Sequence, residues 1–371
     1  MTVPFLDLGA AYRELEAEIN AAVHRVLQSG QYILGPEVEA FESEWAAFCK
    51  ADHCVGVGNG LDALTLSLRA LDIGPGDEVI VPSHTFIATW LAVAAVGATL
   101  VPVEPDPRTC NLDPQRLADA ITPRTRAIVP VHLYGAPADL SPMLQIARDH
   151  DIRIIEDAAQ AHGAQYHGAP IGAHGDLVCW SFYPGKNLGA LGDGGAVTTR
   201  HARLAERLRE LRNYGSSVKY LHEHVGVNSR LDPLQAAALR VKLRHLDAWN
   251  ERREQCARRY DHALQDLGLQ LQHVLHDTRS SRHLYVIRTE RRDALQTGLA
   301  ARGVQTLIHY PIPPHRQGAF APLGWTAQAF PIANAIAESV LSLPIGPHLS
   351  DAHIDQVITA LHAEFRGSAP A

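Results

Sequence analysis

Apolar positions recur at helical spacing from the start of the chain. Leu15, Ile19, Val23, Val26 and Leu27 predict one amphipathic helix over residues 11–28. Val38, Phe41, Trp45 and Phe48 repeat the pattern in a second helix that opens near Gly35-Pro36, where proline suits a first helical turn. The period then shortens. Runs rich in β-branched residues predict strands at 78–82, 99–103, 126–131, 152–156 and 196–199, with Leu- and Ala-rich helical stretches between most of them. Such alternation predicts an α/β fold, a mainly parallel sheet covered by helices on both faces. Around Asp232 the character changes to a long charged helix over 233–264 and then to shorter strands such as 284–289. The expected division is a large α/β domain over 1–245 and a smaller C-terminal α+β domain over 246–371, ending in a frayed tail at 366–371.

Composition narrows the function classes. The chain of 371 residues carries 33 basic and 40 acidic side chains, a net charge of −7, so the basic excess of a nucleic-acid binder is missing. The longest apolar run, Trp90 to Val103, contains Gly97 and Pro102 and falls short of the roughly 20 residues of a membrane span. The first residues lack the basic n-region of a secretory signal. Five cysteines (Cys49, Cys54, Cys110, Cys179 and Cys256) form no C-x-x-C pair. Their odd number argues against a disulfide framework and for a reducing, cytoplasmic setting.

Four constellations can carry chemistry. Gly56-Val-Gly-Asn-Gly60, with Leu61 and Asp62 behind it, opens a helix. Amides at such a helix start can converge on an anion, although an ordinary strand-to-helix turn has the same composition. Its glycines do not match G-x-G-x-x-G, which counts against a nicotinamide-dependent dehydrogenase. Asp157, in Ile152-Arg-Ile-Ile-Glu-Asp-Ala-Ala-Gln160, sits just past a strand end, where open α/β sheets present ligands; a helix cap is the plainer alternative. Lys186, in Ser181-Phe-Tyr-Pro-Gly-Lys-Asn187, stands on a glycine-flanked loop. A lysine changes its pKa readily when buried, as an imine-forming amine requires, whereas most loop lysines are simply solvated. Lastly, Asn228 and Arg230 could hold an anion, and the proline-rich loop from His309 to His315 could line a polar pocket. Those histidines lack a carboxylate at metal-ligand spacing.

Read in order, the four resemble the DegT/DnrJ-type (StrS-like) sugar aminotransferases, pyridoxal phosphate (PLP) enzymes of the aspartate aminotransferase fold, fold type I. The resemblance runs from about Pro4 to His348. It implies that Lys186 joins PLP through a Schiff base and that Asp157 pairs with the pyridine nitrogen. Gln160 would lie beside the ring and its phenolic oxygen, and Phe86 would stack on the ring face. It further implies a phosphate cradle made by Ser181 and the amides of Gly60 and Leu61. Asn228 would reach the phosphate of a neighbouring subunit, giving a homodimer with shared active sites. Position 61 departs from the pattern, being Leu where many relatives carry a hydroxyl.

The substrates implied are L-glutamate and a nucleotide-diphosphate keto sugar, taken in turn. Lys219 and Arg212 are candidates for the diphosphate, and Tyr183, His309 and Tyr310 for the hexose. The 309–315 loop is similar to that of relatives that aminate carbon 3 of dTDP-3-keto-6-deoxyhexoses; a carbon-4 enzyme is the alternative. Two further alternatives are a dehydratase-like relative, disfavoured by the presence of Lys186, and a non-catalytic paralogue that binds PLP or sugar.

Overall fold

The structure, a computed structural model, describes residues 2–366; of the tail expected at 366–371, Arg366 ends the last helix and residues 367–371 lie outside the described residues. Its principal sheet has seven strands: β1 (His53–Val57), β2 (Glu78–Pro82), β3 (Thr99–Val103), β4 (Thr125–Ile128), β5 (Arg153–Asp157), β6 (Leu177–Ser181) and β7 (Gly195–Thr199). The spatial order is β1-β7-β6-β5-β4-β2-β3. β7 runs antiparallel to both of its neighbours, β1 and β6. The other pairs are parallel. Prolines set two limits. Pro102 is tolerated because β3 is an edge strand, and Pro130, with no N–H to give, follows the early end of β4 at Ile128.

Helices α1 (Leu8–Glu14), α2 (Glu16–Ser29) and α3 (Pro36–Cys49) precede the sheet. Helices α4 (Gly60–Ala70), α5 (Ile87–Ala95) and α6 (Leu140–Asp149) cross between its strands, and α7 (Ala202–Leu211) and α8 (Pro233–Leu243) follow β7. Successive strand residues point to opposite faces. Val79, Val81, Ile155 and Cys179 pack with α4 and α7 on one side, while Ile80, Ile154, Val178 and Trp180 pack on the other. Both faces are therefore dry, as a mainly parallel sheet requires.

Two predicted helices are broken in the structure. The helix expected over 11–28 divides at Leu15, which leaves helical geometry (φ −117°, ψ 21°) and buries its side chain against Val241 and Trp249. The one expected over 233–264 divides at Arg244 and His245 into α8 and α9 (Leu246–Leu264), letting Leu246 turn into the core under the sheet.

The remaining helices are α10 (Arg292–Ala301), α11 (Pro331–Ser339) and α12 (Asp351–Arg366). A second, antiparallel sheet joins β8 (Gln270–Leu271), β9 (Tyr285–Arg288) and β10 (Val340–Leu343), with β9 central. It shares an apolar core with α9, α10 and α12. The proposed division near residue 245 falls between α8 and α9. It assigns Val3 to the large unit, yet Val3 pairs with Val304 and is buried in the second core. Among the described residues no helix is long and apolar enough to cross a membrane. All five cysteines are free and buried.

Arg212, expected from the sequence to meet a diphosphate, is committed elsewhere. It is buried at the end of α7, ion-paired with Glu42 of α3 and bonded to the carbonyl of Gly56 in β1. Glu42 in turn accepts the Gly56 amide at 2.7 Å. The buried guanidinium thus ties the end of α7 to α3 and β1 through Nη1. Arg212→Ala would strand the Glu42 charge, so urea unfolding should show a loss of about 3–5 kcal/mol.

Candidate active site

One edge of the principal sheet gathers the predicted residues. Because β1, β2, β5 and β6 are mutually parallel, their C-terminal ends lie together, and antiparallel β7 brings its N-terminal Gly195 to the same edge. Asp157 ends β5 and Ser181 ends β6. Pro82 ends β2 and leads through Ser83 to Phe86, the residue before α5. The loop bearing Lys186 connects β6 to β7. It folds back on itself through bonds from Lys186 N to Tyr183 O and from Ala190 N to Phe182 O, both 2.8 Å. Gly189 is required there, since a Cβ would collide with the carbonyl of Pro184.

Asp157 is buried, and loss of hydration raises its carboxyl above the ordinary value. Opposing that shift, Thr89 donates to Oδ2 at 2.8 Å, the Ala159 amide donates to Oδ1 at 3.2 Å, and Lys186 adds its charge. The sequence alternative of a helix cap does not hold, because a turn and not a helix follows β5. Lys186 is affected in the opposite direction. Burial pushes its ammonium down from 10.5 to about 8, against the pull of Asp157. Near neutral pH the pair thus offers an under-compensated carboxylate and an amine close to its own titration.

The start of α4 makes an anion cradle. Asn59 caps it, its side chain accepting the Asp62 amide at 2.8 Å and its carbonyl the Ala63 amide at 3.1 Å. The first-turn amides of Gly60 and Leu61 precede these bonds. Ser181 lies against them: a Cβ on Gly60 would meet Ser181 Cβ at 2.6 Å, so only glycine lets the hydroxyl approach the helix start. These residues fit PLP. The helix start and Ser181 suit a phosphate, and Asp157 lacks the cation that a protonated ring nitrogen would supply.

Gln160 joins the large unit to the later chain. Its Oε1 accepts the Tyr134 amide and its Nε2 donates to Tyr310 Oη at 3.0 Å. The Tyr310 ring packs 5.2 Å from that of Phe86, which is half exposed. His309 accepts a bond from Tyr134 at its carbonyl and shares its Nδ1 with Ser342 Oγ at 2.8 Å. Burial and the Lys186 charge bring the His309 imidazole down to about 4, so it is neutral. Tyr183 stands at the rim, 58% exposed.

Several contributors escaped the sequence reading. Thr89 holds Asp157 from the first turns of α5 and reads as an ordinary helix residue. Asn187, beside Lys186, donates to Asn250 Oδ1 and to the Ser281 carbonyl and faces His283 Nδ1 at 3.1 Å, anchoring the lysine loop to α9. Lys242 donates to the Gly189 carbonyl at 2.7 Å from α8. Only the position of Asn187 inside the lysine motif could have flagged it.

Three candidates lie apart within this chain. Lys219 is exposed at the tip of a hairpin formed by 216–218 and 221–222, its Nζ 5.1 Å from the Tyr220 ring centre. Asn228 is exposed, next to Ser229, which donates to Asp62 and accepts the Gly58 amide. Arg230 donates to Asn213 Oδ1 at 3.0 Å and covers Tyr214. His315 is buried against Phe330.

Known proteins match both the fold and the chain. The crystal structure of DesV from S. venezuelae in complex with a ketimine intermediate superposes with a TM-score of 0.97 at 56% identity, covering 100% of both chains. NtdA from Bacillus subtilis, with bound cofactor PMP, has a TM-score of 0.92 at 32% identity, over 98% of this chain and 85% of that one. A Streptomyces venezuelae protein named dTDP-3-amino-3,4,6-trideoxy-α-D-glucose transaminase is 58% identical over 360 residues, 97% of this chain and 95% of its own. Fold and site together define a PLP-dependent aminotransferase. The profile of the DegT/DnrJ/EryC1/StrS aminotransferase family matches residues 13–362, and the chain belongs to that family.

If Lys186 is the imine-forming amine its sequence motif implies, only its neutral form attacks, and PLP uptake by the apoprotein should accelerate as pH rises through about 8 and level off above it. Stopped-flow absorbance checks this. A rise centred near the ordinary lysine value of 10.5 would show that the loop does not desolvate Lys186.

Proposed function

We propose that the protein transfers an amino group from L-glutamate to carbon 3 of a dTDP-linked 3-keto-6-deoxyhexose. The match to the dTDP-3-amino-3,4,6-trideoxy-α-D-glucose transaminase over nearly the whole of both chains carries the choice of carbon and nucleotide.

The chemistry follows from the residues. When bound, PLP supplies an electron sink for the carbon that gains or loses the amine. Asp157 keeps a proton on the ring nitrogen, a task suited to a buried carboxylate with no full partner. Lys186 Nζ moves the proton at the reacting carbon, as general base and then general acid, and burial places its pKa near the working range. Gly60, Leu61 and Ser181 bind the phosphate, Phe86 covers one ring face, and Gln160 lies beside the ring edge. Tyr183, His309 and Tyr310 meet the hexose. Glutamate and sugar share one site in turn, which gives ping-pong kinetics.

The reading includes a homodimer in which Asn228 and the hairpin bearing Lys219 serve the second subunit's site. Supporting it, the surface around Asn228 is apolar yet uncovered in one chain: Tyr220 is 85% and Val225 87% exposed, with Val218 and Leu221 beside them. A cytoplasmic setting suits five buried free thiols.

The long-wavelength absorbance of the PLP-loaded protein should bleach on addition of L-glutamate without any sugar. A spectrum indifferent to glutamate would reject that donor. Lys186→Ala should lose turnover by about a thousandfold or more while still retaining PLP on dialysis. Mixing Lys186→Ala with Asn228→Ala should recover activity through hybrid dimers that hold one intact site, and no recovery would argue against sharing.

A further inference from the structure

Tyr134 is fully buried and holds a left-handed backbone conformation (φ 63°, ψ 6°) that bulky residues rarely adopt. Such a conformation persists where the surroundings over-determine it, and here every polar group of the residue is engaged. Its amide donates to Gln160 Oε1. Its carbonyl accepts the Leu284 amide at 3.2 Å. Its hydroxyl donates to the His309 carbonyl and lies 2.9 Å from His84 Nε2.

The proton assignments follow from this arrangement. A carbonyl can only accept, so the phenol proton goes to His309, and His84 must donate from Nε2. His84 Nδ1 is then a buried acceptor without a partner, and burial keeps that imidazole uncharged. Because Gln160 passes its other side to Tyr310 Oη at 3.0 Å, both residues of the 309–310 segment are tied to Tyr134, one directly and one through Gln160. His84 lies two residues before Phe86, whose ring packs on that of Tyr310. A single phenol therefore sits between the loop carrying the ring-stacking residue and the segment proposed to meet the hexose.

We propose that Tyr134 is a positioning residue for the sugar half of the reaction, its hydroxyl fixing the 309–310 segment against the 84–86 loop. This rests on the reading that His309 and Tyr310 face the hexose. The phenol's hydrogen-bond partners are His84 and the His309 carbonyl, so Lys186, Asp157, Ser181, Gly60 and Leu61 do not hang on it. Tyr134→Phe keeps the amide that holds Gln160, and of the residues proposed to hold PLP only Phe86 stands on a loop the phenol fixes, so the glutamate half still runs.

Tyr134→Phe removes one oxygen and keeps the ring. In the PLP-loaded dimer, hydrogen exchange should speed up about tenfold in peptides spanning 84–90 and 305–312 and stay unchanged in β1 and β6. With the keto sugar, KM should rise roughly tenfold with kcat within about twofold, and the absorbance response to glutamate should match the wild type. His84→Gln, which can still donate to the phenol, should retain most of the wild-type KM. Unchanged exchange at both segments would overturn the proposal, as would faster exchange everywhere, which marks only a weaker fold. Faster exchange at the two segments with an unchanged KM would overturn the link to the sugar. Failure of the wild type to aminate any dTDP-3-keto sugar would instead reject the substrate reading, and the exchange pattern would still decide whether the phenol fixes the segment.

Discussion

Burying Asp157 at the C-terminal end of β5 removes hydration that its two protein hydrogen bonds, from Thr89 and the Ala159 amide, do not fully replace. Much of the surrounding architecture answers to that deficit. Helix α5 must start close enough to the sheet edge for Thr89 to reach the carboxylate, and this also fixes Phe86 at its N-terminal end. For the proposed pairing of Asp157 with a ring nitrogen, Lys186 must be near enough to contribute charge without forming a closed ion pair that would use up the carboxylate. The tightly folded loop between β6 and β7, pinned by Asn187 and Lys242, sets that separation. Under that proposal, a fully satisfied Asp157 would make a more stable protein and a poorer cofactor site.

Much of the large sheet was legible because its strands are short, β-branched and separated by helices. Strands 78–82 and 99–103 match the pattern residue for residue. β1 and β6 were not named as strands. Their side chains are almost all buried, so they lack the alternation that marks a half-buried strand, and Leu177-Val-Cys-Trp180 reads equally well as a helix fragment. The breaks at Leu15 and at Arg244-His245 were invisible for a different reason. Local periodicity continues through both, and only the direction in which Leu15 and Leu246 are drawn by the tertiary core interrupts the helices.

The candidate site divides along the same line. Asp157, Lys186 and the glycine-led helix start stood out because strand ends and glycine-flanked loops are where ligands meet an α/β sheet. Arg212 was misread since charge says nothing of burial: the residue that looked free to meet a diphosphate is the one Glu42 and Gly56 need. Thr89 and Tyr134 were missed because their partners lie far away in the chain, at Asp157 and at His309. No local signal distinguishes them from ordinary core residues.

The place of β7 in the sheet has a consequence in time. In the principal sheet β1 touches no strand except β7, so residues 53–57 have no backbone partner until residues 195–199 have been made. At about 5–20 residues per second of synthesis, that wait lasts on the order of ten seconds. During it α3 and β1 carry apolar surface, including Phe41, Trp45 and Val55, that the finished sheet will cover. The strands from β2 to β6 can meanwhile assemble in order of emergence, since each pairs with a strand already made. The nascent chain therefore matures from its middle outward, and its first helices are among the last parts to find their seats.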